Sequence, residues 1–82
     1  MNLKQWLYKQ LFEWGKARFE ASDLPRGAVD PAAHAFAVAA MLQLDRLGTL
    51  PGSIISRLST FMAAEWRDFC SEVGRLAGIN HQ

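Results

Sequence analysis

From position 55 to position 76 apolar residues return every three or four places: Ile55, Leu58, Met62, Trp66, Phe69, Val73 and Leu76. At 100° per residue they share one face, with Arg57, Thr60, Arg67, Ser71 and Arg75 opposite. The spacing predicts a helix over about 53–77, roughly 37 Å long at 1.5 Å per residue. Ser53 is preferred to Thr49 as its N-cap. Gly78 suits a left-handed C′ position, with Ile79 folding back as the apolar contact. Gly74 weakens the helix by about 1 kcal/mol relative to alanine or allows a close crossing.

A second periodic segment runs over 31–47. Asp30 is placed to accept from free backbone N–H groups as N-cap, and Pro31 fits the first helical position, where its missing N–H costs nothing. Gly48 ends the segment. Ala32, Ala33, Ala35, Ala37, Ala39 and Ala40 leave little bulk, and polar groups are confined to His34, Gln43, Asp45 and Arg46. A helix apolar nearly all round is expected to be buried on more than one side, which places it in the middle of the packing.

The first segment, about 2–21, has two apolar sectors instead of one stripe. Leu3, Trp6, Leu7 and Trp14 occupy one, and Tyr8, Phe12 and Phe19 the other, roughly 150° away. Asn2, Gln5, Lys9, Glu13, Lys16 and Glu20 form a polar strip, and the turn formers from Ser22 to Gly27 end the helix. Five of the chain's aromatic residues lie here. With two other helices to pack against, one sector satisfies the core and the other faces outward, and a large exposed apolar patch marks a contact surface. Trp6, Tyr8, Phe12, Trp14 and Phe19 are therefore the expected anchors for a partner or a second subunit. The alternative is that this helix lies in a groove between the other two and hides both sectors.

No stretch alternates as a strand does, and β-branched residues are scarce. The expectation is an all-α, single-domain, three-helix protein, its helices antiparallel because the links are short.

Composition sharpens this picture. The chain has 82 residues, 50% of them hydrophobic and six more glycine, above the usual apolar share of about 45–50%. A domain this small buries only about 60% of its unfolded surface, so the excess points to a dimer or a standing protein partner. The longest apolar run, Ala35–Leu42, is far short of the ~20 residues of a membrane span. Lys9 and Glu13 interrupt the N-terminal apolar segment, so no secretory signal is expected there. Net charge is +1 without a basic block, which argues against nucleic-acid binding.

Candidate chemistry is sparse. Cys70 is the one cysteine; no disulfide can form within the chain, and at helical spacing from Phe69 and Val73 it reads as a small hydrophobe. A reduced, cytoplasmic setting is consistent with that. His34 and His81 have no zinc-like spacing, and no metal or cofactor is expected. His34 lacks the flanking residues of a phosphorelay histidine. Glu65 falls near the apolar face of the third helix and Arg18 inside the apolar arc of the first, so a buried Arg18–Glu65 ion pair is the structural expectation; no second acid, base or nucleophile accompanies Glu65 in a catalytic arrangement. Glu65, Asp68 and Glu72 line one edge. A helix-turn-helix reading meets a long third helix and these repelling carboxylates.

The sequence thus points to a small non-enzymatic protein-interaction module, homodimeric, that occludes or scaffolds a partner through the aromatic face of the first helix. A membrane-surface protein anchored by that helix is the first alternative, and a DNA-binding regulator the second.

Overall fold

The computed structural model describes residues 2–77. Gly78, Ile79 and His81 lie outside them, as do the side chains of Pro51, Val73, Arg75, Leu76 and Ala77. The chain is all-α: among the described residues there are three long helices and no strand.

Helix α1 spans Leu3–Glu20. Asn2 Oδ1 accepts the Gln5 N–H at 2.8 Å, and Gln5 Oε1 accepts the Asn2 N–H at 3.1 Å. This reciprocal box satisfies two backbone donors that the helix leaves unpaired. At the other end Ser22 Oγ donates to the Phe19 carbonyl at 2.7 Å.

Helix α2 spans Arg26–Leu47, starting five residues before the expected Pro31. Asp30 is not its N-cap; Pro25 holds that position without a side-chain bond. The longer helix is favoured because it carries Val29 into the core, in line with Ala33 and Ala37. Pro31 sits inside the helix instead of at its start. Its ring removes the bond to the Gly27 carbonyl, but Gly27 and Pro31 are both exposed, so water can take the bond's place. The expected stop is where α2 ends: Gly48 is left-handed at φ 70°, and the Thr49 N–H reaches the Leu44 carbonyl at 3.0 Å.

The expected third helix is broken into three pieces. A single turn, α3, covers Pro51–Ile54, a 3₁₀ turn covers Ile55–Arg57, and α4 covers Leu58–Ala77. Leu50, not Ser53, is the N-cap of α3, with Pro51 at the first helical position. Ser53 Oγ donates to the Leu50 carbonyl instead. The 3₁₀ turn advances about 120° per residue where an α-helix advances about 100°, which shifts the phase of the apolar stripe. Ile54 is 6% exposed and Ile55 47%, so Ile54 takes the core place expected for Ile55.

The core is one cluster. From α1 it takes Leu7, Leu11 and Phe19; from α2, Val29, Ala33, Phe36, Ala37, Ala40 and Leu44; then Ile54 and Met62. Leu7, Leu11, Gly15 and Phe19 follow each other at every fourth residue and form the buried stripe of α1. This stripe joins the two expected sectors, Leu7 belonging to one and Phe19 to the other. Helix α1 touches α2, α3 and α4, and α2 touches both α1 and α4.

Candidate functional site

The five rings expected as partner anchors pack against the chain's own core. Phe19 is buried. Trp6, Tyr8, Phe12 and Trp14 are half-buried against the core. Rings of both sectors meet α2 and α4 together. Trp14 stacks on Phe36 at 5.7 Å between centroids and meets Trp66 edge-on at 5.8 Å. Phe19 lies 4.7 Å from Trp66 and 6.1 Å from Phe69. Phe36 also meets Trp66 and Phe69 edge-to-face. Such offset and edge contacts add about 0.5–1.5 kcal/mol per pair to the burial itself. On the other flank Tyr8 packs on Phe12, and its hydroxyl is hydrogen-bonded to Nδ1 of His34 at 2.7 Å. The opening helix therefore carries its aromatic load to join α2 to α4.

Arg18 and Glu65 do not pair. The Arg18 guanidinium lies over the Trp14 ring, 4.1 Å from its centroid, a cation–π contact. Glu65 faces Arg46 of α2 in a groove of about 360 Å³, with Asp68 beside it and Phe36 and Phe69 as its floor. Burial pushes the Glu65 carboxyl above the usual glutamate range; Asp68 adds to the rise and Arg46 opposes it. No charged or polar side chain is fully buried among the described residues. Burial by its neighbours also raises the Cys70 thiol, although the residue as a whole is exposed and does not fill a core position. Two contacts tie the surface of α1 to α2: Lys16 to Asp30 at 3.5 Å and Lys4 to Asp45 at 4.0 Å. Both are exposed and worth about 1 kcal/mol or less.

The exposed apolar surface lies elsewhere. Between Pro31 and Leu42 the chain has no Lys, Arg, Asp or Glu, yet α2 is covered on one side only. Pro31, Ala35, Val38 and Leu42 project to solvent, Leu42 being 54% exposed. A second exposed group, Leu47, Leu50 and Ile55, surrounds the link from α2 to α3. The alanine-rich composition of 31–42 concealed this outer face, because it fits burial on both sides equally well.

Among the described residues no three His, Cys, Asp or Glu side chains gather as a metal site would require, and no helix is long and apolar enough to cross a membrane. No family model matches the chain, and no curated protein or solved structure matches it either.

Proposed function

We propose that this chain is a non-enzymatic protein-binding module that works as a homodimer and acts by covering or scaffolding a partner protein. The observation that carries the reading is the outer face of α2: Pro31, Ala35, Val38 and Leu42, exposed within a segment free of Lys, Arg, Asp and Glu. Exposed apolar surface of this kind is characteristic of contact sites. Ala35 and Ala39 are small enough for a partner helix to approach closely, with Val38 and Leu42 as its anchors; helix on helix is the packing such a face favours. The rings of α1 serve this module indirectly, by holding α2 in place. The Lys4–Asp45 and Lys16–Asp30 contacts support an antiparallel arrangement of α1 and α2.

The test is a photo-crosslinking amino acid substituted at Leu42 and, separately, at Phe12. The expected result is a discrete protein adduct from position 42 and none from position 12. Adducts from position 12 alone would return the binding face to α1, and none from either would overturn the reading.

A further inference from the structure

The break between α3 and α4 falls on a pair of identical side chains. Ile54 is buried and Ile55 exposed, yet the apolar spacing of α4 favours the other one. In an unbroken α-helix Ile55 would stand about 20° from Met62 and Ile54 about 80° from it, and Met62 is in the core. The bend is local. Ile54 has φ −91° and ψ −13°, against about −63° and −42° in an α-helix. Only Ile55–Arg57 is 3₁₀.

Three features give this segment room to turn. Gly48 stands at φ 70° with nothing within 4 Å of where a Cβ would be, so packing does not hold the link at that point. A Cβ on Gly52 would meet only Leu3 Cδ2 of α1, at 3.6 Å, and Leu3 is itself exposed. Beside Ile54 lies an open groove of about 280 Å³, walled by Leu44, Phe61 and Ala64. Space for repacking is therefore next to the residue that must move, where a filled core would deny it.

We propose that residues 51–57 are a two-state register switch. In the bent state Ile54 is buried and α3 rests against α1. In the straight state α3, the 3₁₀ turn and α4 run as one helix, Ile55 takes the core place and Ile54 turns outward. Burial does not choose between the two, because the side chains have the same apolar area to hide. The straight helix gains the better hydrogen-bond geometry of α over 3₁₀. The bent one keeps the contact of α3 with α1. Terms of opposite sign leave a small gap, the condition for a minor state of about 0.1–10%. Because α3 leans on α1 next to Leu3, the switch couples the start of α1 to the link after α2. Removing the Leu3 side chain favours the straight state.

The experiment is relaxation-dispersion NMR of isotope-labelled isoleucine δ1 methyls in the full chain. The sequence has three isoleucines, at 54, 55 and 79, so the signals are few. The method reports exchange on the microsecond-to-millisecond scale. The expected result is dispersion at Ile54 and Ile55 with one shared rate and population. Ile55→Ala should abolish it at Ile54 by holding the bent state, and Leu3→Ala should raise the minor population about threefold or more. Ile54→Ala should stay folded by circular dichroism, with the Ile55 methyl moved to the minor-state shift of the wild type. Flat profiles at both methyls overturn the switch, and so do unrelated rates at the two. An Ile54→Ala chain that unfolds, or that folds with its Ile55 methyl unmoved, overturns it as well.

Discussion

Gly15 of α1 lies directly against the ring of Phe36 of α2: a Cβ on Gly15 would stand 2.7 Å from Phe36 Cδ2 and 3.3 Å from Cε2. The missing side chain lets the two helices approach and lets the Phe36 ring lie flat enough to stack on Trp14. Nothing about Gly15 in the sequence distinguishes it from a helix-weakening glycine; its need appears only when α2 is laid alongside.

Gly15→Ala therefore destabilises the fold. Alanine favours a helix over glycine by about 0.8–1 kcal/mol, but Phe36 is buried and fully enclosed, and overpacking a filled core costs about 1–3 kcal/mol. The expected net effect is a lower urea midpoint. Gly27→Ala is the control, because nothing lies within 4 Å of the added Cβ; that variant should gain a few tenths of a kcal/mol or more. A Gly15→Ala protein as stable as Gly27→Ala would mean that the helices stand farther apart.

Trp66 joins α4 to both other long helices through Trp14, Phe19 and Phe36. Trp66 is half-buried, so Trp66→Ala is expected to cost about 2–3 kcal/mol, below the full cost of a buried ring and still a large part of the stability of a domain this size. Near-ultraviolet circular dichroism should lose its aromatic bands at a temperature where the wild type keeps them. Phe12→Asp, on the opposite flank of α1, should likewise lower the melting temperature, because its ring packs against the core. A soluble, fully folded Phe12→Asp protein would contradict that packing.

Glu65 makes stability depend on pH in a defined sense. Its folded-state pKa is raised, chiefly by burial, so across the interval between its unfolded and folded values the native state binds more protons than the unfolded state. Stability then falls as pH rises through that interval, and the loss is complete above the folded value. Glu65→Gln removes this contribution. The variant should be more stable than the wild type at pH 7, and the advantage should shrink as pH falls from the raised folded value to the ordinary glutamate value and be gone below it. Denaturant titrations of both proteins across pH 3–8, a span of about five units around the usual carboxylate pKa, give the comparison; an advantage that grows toward acid would reverse the assignment.

Tyr8 and His34 form the one side-chain-to-side-chain hydrogen bond between α1 and α2 given by the described residues. The pair is exposed, so Tyr8→Phe should cost only about 0.5–1.5 kcal/mol. With the hydroxyl donating to Nδ1, the neutral His34 ring carries its proton on Nε2. Nitrogen NMR of the imidazole should show that tautomer in the wild type and a mixture in Tyr8→Phe. An unchanged spectrum would mean that the bond is not formed in solution.

Local signals in the chain determined much of the architecture. The apolar spacing of Leu58, Met62, Trp66 and Phe69, the turn formers from Ser22 to Pro25 and the stop at Gly48 set an all-α chain of three long helices, because each acts over one or two turns. Local signals were ambiguous where two of them competed. Asp30–Pro31 reads as a helix start, yet burial of Val29 outweighs one lost backbone bond and carries α2 back to Arg26. Ile54 and Ile55 are equivalent in sequence, and only the 3₁₀ turn decides which one enters the core. The direction of the α1 rings was decided by tertiary structure alone. Helical periodicity gives the angle between two sectors but not the bearing of the neighbours, and with Leu7, Leu11, Gly15 and Phe19 buried, α2 and α4 together cover rings of both sectors. The same packing leaves the uncharged outer face of α2 open, because α1 and α4 both meet α2 from its buried side.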